Sequence, residues 1–269
     1  MTLQPVDGTD NSQVRNFLSY LFNGLDGYIY VPTKSPTGSF VQHHFKWPEE
    51  YSAAVTFIET ATEHEEVYVA PAIFNKPSGQ KIDFKATNVL WVDFDGNAPQ
   101  ASKVEAAGIK APPSLVIQSS GPGHEHWYWR LTEPLTSIES VESRTKWLAY
   151  EFDGDYGCWN ANRVLRSPGT RNHKRDKTTF VKAQDDTAYP VAIFPTTDID
   201  SVDDTESPSS VIPDVADVIL AYAWPSDAIA LYRTQSPHDR SNALMALGYH
   251  CAEMGMADAE IYSVVRNAD

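Results

Sequence analysis

Residues 88–95 read Asn-Val-Leu-Trp-Val-Asp-Phe-Asp. The apolar run Val89–Val92, bulky and β-branched, has a polar start and Gly96 beyond it, which reads as a short buried strand. Side chains alternate along a strand, so Asp93 and Asp95 share one face while Phe94 enters the core. Two carboxylates on one face repel each other unless a positive charge stands between them. Mg²⁺ and Mn²⁺ prefer oxygen ligands, so a divalent cation is the usual answer. A strand ending in solvent, with two acids marking the loop, explains the same eight residues equally well.

Two further stretches shift the balance. Leu115–Ser119 reads as a second strand, Ser120-Gly-Pro-Gly123 as a turn, and Glu125–Leu131 as the returning strand of a hairpin. On the return, His124, His126 and Tyr128 share one face, and Glu125, Trp127 and Trp129 the other. Further on, Gly154-Asp155 precedes the basic run Arg163-Val-Leu-Arg-Ser-Pro-Gly-Thr-Arg-Asn-His-Lys174. Acids, histidines and a phosphate-friendly basic loop, in that order, suggest metal-dependent chemistry on phosphates.

With these three stretches the chain resembles the archaeo-eukaryotic primase superfamily, in the helicase-associated primase-polymerase branch carried by phages and plasmids. A hydrophobic strand ending in Asp93-x-Asp95 is similar to its first motif, and Gly123 to Trp129, centred on His126, to its second. Asp155 followed by Arg163, Arg166, Pro168, Gly169, Asn172 and Lys174 is similar to its third and most specific motif. The likeness covers roughly residues 25–195. It implies a DNA primase/polymerase that adds NTPs or dNTPs to a primer 3′-hydroxyl on a single-stranded DNA template. Asp93, Asp95 and Asp155 would be catalytic and hold two ions, Mg²⁺ or Mn²⁺, about 3.5–4 Å apart. His126, Arg163, Arg166 and Lys174 would bind nucleotide phosphates, with Ser120 and Gly121 adding backbone or hydroxyl contacts. His124 reads as an exposed turn histidine, and Trp127 and Trp129 read as core.

Three competitors remain. Val92-Asp-Phe-Asp-Gly-Asn97 resembles the nucleophile motif of haloacid-dehalogenase-like phosphatases, although the acidic pair Asp185-Asp186 lacks the strand-end setting such enzymes need. His124-Glu-His126 is similar to the paired histidines of replication-initiator nucleases, but Glu125 is a poor match for the apolar middle residue. A non-catalytic nucleic-acid module would have no use for three spaced carboxylates.

Composition sets the frame. The 269 residues carry a formal net charge of −15, which opposes binding to a polyanion at long range. The charge is segregated, however: residues 163–182 hold seven Lys and Arg against Asp176, and residues 185–217 hold nine acids and no Lys or Arg. Two cysteines without a Cys-x-x-Cys exclude a disulfide framework and point to a reducing, cytoplasmic setting. No signal-like or membrane-spanning apolar run is present.

Read in order, the chain predicts an α+β (α/β) fold. An N-terminal α/β unit comprises a helix over 11–25, strands over 27–32 and 67–74, and a helix from Pro48. Residues 88–166 follow as strand, helix (101–107), hairpin, helix (137–153) and a further strand near 164, an RRM-like split β-α-β module with an antiparallel sheet. The catalytic domain is thus expected over 1–195, an acidic linker over 196–213, and a small all-α domain over 214–269 leading to a helicase in a longer chain.

Overall fold

The computed structural model describes residues 4–5, 12–36, 38–99, 111–197, 214–233 and 240–268. The helix expected over 101–107 and most of the linker expected over 196–213 lie outside them. The chain divides into two compact units, Met1–Ile199 and Asp200–Asp269.

In the first unit the chain order is β1 (Gln4–Pro5), α1 (Ser12–Phe22), β2 (Gly27–Tyr30), β3 (Thr33–Lys34), β4 (Phe40–Val41), β5 (His44–Trp47), α2 (Tyr51–Ala61), β6 (Glu66–Val69), β7 (Ile73–Phe74) and β8 (Phe84–Asp95). There follow β9 (Leu115–Gln118), β10 (His124–Leu135), α3 (Ile138–Glu151), β11 (Leu165–Arg166), β12 (Arg171–Asn172), β13 (Lys177–Thr178), β14 (Phe180–Gln184) and β15 (Ala188–Tyr189). A large sheet runs β1-β14-β9-β10-β8-β7-β2-β5, with β15 parallel to β10 and every other pairing antiparallel. A smaller sheet runs β11-β6-β3-β4.

The alternation of β8 and β10 builds two cores. Trp91 and Tyr128 enter one with Phe17 of α1, whose ring meets Tyr128 edge-on at 5.8 Å. Leu90, Val92, Phe94, Trp127 and Trp129 enter the other with Leu148 of α3 and Phe152. Between Ala86 and Val92 β8 is buried on both faces, so Val89–Val92 reads as a continuous apolar run until Asp93 meets water. Helix α3 starts where Ser137 caps it, its hydroxyl accepting from the Ser140 amide at 3.2 Å.

Two expectations change in detail. The strand expected over 67–74 divides into β6 and β7, which belong to different sheets. Pro71 lies at the break, where it cannot donate to a ladder, and its carbonyl accepts from the Thr87 hydroxyl. The strand near 164 also leaves the large sheet, because β11 pairs with β6, while β14 completes the split β-α-β arrangement beside β9. That departure folds the basic segment back over the acid-bearing strand ends.

The second unit holds α4 (Val215–Ala221), α5 (Ser226–Arg233), α6 (Arg240–Glu253) and α7 (Asp258–Asn267) around Val218, Leu247, Cys251 and Val264. Among the described residues no helix is long and apolar enough to cross a membrane.

Candidate active site

The site begins with register. In the β8–β10 ladder, Asp93 lies opposite His126 and Asp95 opposite His124, so two acids and two imidazoles share one face. His126 Nε2 lies 3.3 Å from Asp93 Oδ1, and His124 Nδ1 lies 2.7 Å from Asp95 Oδ1. Burial holds the pKa of His126 below the ordinary imidazole value, with the Asp93 carboxylate pulling the other way. His124 is not an exposed turn histidine: it opens β10, is largely buried and binds the exposed Asp95. The tight turn that presents it needs Gly123, at φ +79°, where an added Cβ would sit 2.5 Å from the Gly96 carbonyl oxygen. The Gly123 carbonyl accepts from the amides of Gly96 and Ala98, each at 3.1 Å, which locks the end of β8 to the hairpin.

Asp155 arrives from the loop after α3. Its amide donates to the Asp93 carbonyl at 2.8 Å, the Gly154 amide to Ala149 at 2.8 Å, and the Trp91 indole to the Cys158 carbonyl at 3.0 Å. The approach depends on Gly154, because a Cβ there would collide with the Val92 side chain and lie 2.9 Å from the Asp93 oxygen. Asp155 Oδ1 then accepts from the Gly157 amide at 2.8 Å, and one of its carboxylate oxygens lies within 4.8 Å of an Asp93 oxygen. Asp153, two residues earlier, accepts instead from the Tyr156 hydroxyl at 2.6 Å.

Sequence reasoning missed Cys158. Ligand atoms of Asp93, Asp155 and Cys158 lie within 4.8 Å of one another, and the thiol donates to Asp155 Oδ2 at 2.8 Å. Burial and the nearby Asp93 carboxylate push the thiol pKa up, so the sulfur is protonated. The only sequence signal was its position three residues after Asp155. Carboxylate oxygens facing each other fit a hard divalent cation, and Asp93 and Asp155 are the residues that would hold it, with Asp95 two residues further along β8.

The basic segment closes the cleft, whose volume is about 270 Å³. Arg163 reaches Asp155 at 3.9 Å, while Arg166 forms an ion pair with Glu66 and lies over the Tyr68 ring at 5.0 Å. Burial lowers the Arg166 pKa to about 10. The Lys174 amide donates to Glu66 Oε1 at 2.8 Å, and its side chain lines the cleft with Ser120 and His126. Gly121 stays in the turn, its carbonyl accepting from the His124 amide, and does not line the cleft. Asn172 fastens the segment to the hairpin, donating to the Ser119 carbonyl at 3.0 Å and accepting from the Arg175 amide at 3.1 Å. Glu66 and Tyr68, about a hundred residues upstream of Arg166, carried no motif that could have announced them.

An antiparallel sheet thus presents two strand-end acids to a third acid and a basic loop. Residues 75–204 match the family model of the RepB DNA-primase N-terminal domain. The match agrees with the resemblance, read from the sequence, to the phage and plasmid branch of the archaeo-eukaryotic primase superfamily. Both the match and the resemblance support an enzyme of the DNA-primase, nucleotidyltransferase type. Among solved structures, the chain is similar to the archaeo-eukaryotic primase domain of the cyanophage S-2L primase-polymerase, at 16% identity and a TM-score of 0.55, over 70% of this chain and 100% of that one. It is also similar to the catalytic domain of primase RepB′ in complex with initiator DNA, at 15% identity and a TM-score of 0.50, over 68% of this chain and 90% of that one. A structure of primase RepB′ matches 96% of this chain and 86% of its own, at 12% identity and a TM-score of 0.50. No curated protein sequence matches the chain.

Proposed function

We propose that this protein is a primase-polymerase that extends a primer on single-stranded DNA by metal-dependent nucleotidyl transfer. The observation that carries the reading is the convergence of Asp93, Asp155 and the 163–174 segment on one cleft. The match of residues 75–204 to a DNA-primase domain and the likeness to primase folds support it. The phosphatase and nuclease readings have no comparable support.

Asp93, Asp95 and Asp155 would hold two ions, Mg²⁺ or Mn²⁺. Such ions, when bound, lower the pKa of a primer hydroxyl and neutralise charge on a leaving pyrophosphate. The chain's own groups do the rest. His126, neutral because it is buried, holds the Asp93 carboxylate through Nε2. Arg163 and Lys174 offer cations to the triphosphate, and Arg166 stays anchored by Glu66 as a fixed positive charge beside it. Asp95 would exchange its bond to His124 for a cation when substrate enters.

On this reading residues 1–195 are the catalytic domain, 196–213 an acidic linker, and 214–269 a helical unit leading to a helicase, in the cytoplasm with replicating DNA. The test is incorporation of labelled nucleotides on primed and unprimed single-stranded templates with Mg²⁺ or Mn²⁺. Incorporation that requires template and cation supports the reading. Phosphate release from small esters without incorporation, or a covalent tyrosine–DNA adduct, would overturn it.

A further inference from the structure

The four-stranded sheet β11-β6-β3-β4 has two unlike faces. Its register sets Lys34 opposite both Phe40 and Glu66, and Arg166 opposite Tyr68, so these five side chains share one face. Thr33, Val67, Val69 and Leu165 take the other face and are buried. Along the first face, Lys34 Nζ lies 5.4 Å from the Phe40 ring centre, the Phe40 and Tyr68 rings are 6.1 Å apart, and Arg166 Cζ lies 5.0 Å from the Tyr68 ring. The order across the face is thus cation, ring, ring, cation. Phe40 is 56% exposed, which for a phenylalanine on a two-residue strand requires a reason.

Beside this face lies a second cleft, lined by Lys34, His64 and His173 and sharing Tyr68, Arg166 and Lys174 with the acid-bearing cleft. The two clefts are therefore neighbours, with these three side chains between them. Glu66 is matched by Arg166, which leaves the Lys34 and Lys174 ammonium groups as the net charge of this second cleft. On a chain of net charge −15, such a local positive track, with an exposed Phe40 ring beside the half-buried Tyr68 ring, suits an unpaired nucleic-acid strand. Its phosphates follow the lysines, and its bases stack on Phe40 and Tyr68. A duplex keeps its bases stacked on each other and offers no free faces to these rings.

We propose that Phe40, Tyr68 and Lys34 form a stacking platform for the unpaired template strand, leading it into the catalytic cleft. This inference rests on the primase-polymerase reading and adds to it the surface that grips template.

The test is the binding of a fluorescent single-stranded oligonucleotide, followed by anisotropy at low salt, for the intact chain and for Phe40→Ala, Phe40→Trp and Lys34→Ala. Phe40 is exposed, so folding should survive, as thermal melting will check. Phe40→Ala should weaken binding about 5- to 150-fold, the range one lost base stack represents. Phe40→Trp should bind as the parent does, and Lys34→Ala should flatten the salt dependence of binding. An oligonucleotide of abasic sites should bind the parent and Phe40→Ala alike. Unchanged affinity in Phe40→Ala, or an equal loss on the abasic strand, overturns the platform while template-dependent incorporation leaves the primase reading standing. A raised nucleotide KM with unchanged DNA affinity would reassign the rings to the incoming nucleotide. A dimer of the parent chain that Phe40→Ala dissociates would reassign them to self-association. Failure of the parent chain both to bind single strands and to incorporate nucleotides would overturn both readings.

Discussion

The amide of Asp155 donates to the carbonyl of Asp93 at 2.8 Å, so the main chain itself holds the third acid beside the first. The two carboxylates are thereby kept close in spite of their repulsion, and the protonated Cys158 thiol relieves part of it. The cost of assembling this charge cluster is met by folding and not by substrate.

Neutralising the acids tests the chemistry. Asp93→Asn and Asp155→Asn should each lower incorporation by about 10²-fold or more, since each removes charge where the reacting phosphate must be stabilised. Their melting temperatures should not fall, because a repulsion is removed. Asp95→Asn should do the same, and near-normal activity in any one of the three would remove that residue from the catalytic set.

Gly154→Ala tests the loop. The added methyl meets Val92 and the Asp93 carbonyl, so the 153–158 segment must lift away. Incorporation should drop by at least about tenfold, from displacement of a charged group by roughly an ångström. Circular dichroism should be unchanged. Full activity would mean that the loop shifts without carrying Asp155 with it.

Trp91→Phe separates packing from anchoring. It keeps most of the ring but leaves the Cys158 carbonyl without its indole donor, at a cost of about 1–3 kcal/mol. Thermal unfolding should register that loss, and activity should fall further than stability does. Equal behaviour of the two would indicate that the anchor does not position Asp155.

Cysteine reactivity reports on the acid cluster. Burial keeps the Cys158 thiol protonated, so alkylation by iodoacetamide at neutral pH should be far slower than for a free thiol. Asp93→Asn should speed it if the carboxylate helps suppress the thiolate. Mass spectrometry after timed quenching reads both rates.

Asn172→Ala tests the basic segment. Two hydrogen bonds tie it to the Ser119 carbonyl and the Arg175 amide, and Thr179 gives Ser119 a second, longer bond at 3.3 Å. The stability cost should therefore be modest, about 1 kcal/mol. The KM for nucleotide should rise more than kcat falls, because phosphate-facing cations lose their frame. A kcat effect with unchanged KM would place the segment in the chemical step.

Much of the fold could be read directly because β8 and the hairpin are long, apolar and correctly phased. Alternation alone put Asp93, Asp95, His124 and His126 on one side. The order of acid, histidine and basic run carried the family. The rest is hidden for physical reasons. Nothing local says that β11 leaves one sheet for another, since that pairing is made by β6, nearly a hundred residues away. The reading of His124 as a solvent-exposed turn failed because the ladder extends one residue further than its turn chemistry suggests. Cys158 gave no pattern at all, since a single thiol acquires meaning only from the carboxylates folded around it.

The loop bearing Asp155 is fastened largely through peptide groups: Asp155 to Asp93, Gly154 to Ala149, and Cys158 to an indole two strand positions before Asp93. Peptide groups are the same whatever side chain they carry. Positions 156, 157 and 159 should therefore accept many replacements in a saturation library, while Gly154 and Asp155 accept almost none. A signature for distant kin at this point would be as short as a glycine and an aspartate, legible only to a search that knows which strand they lean on.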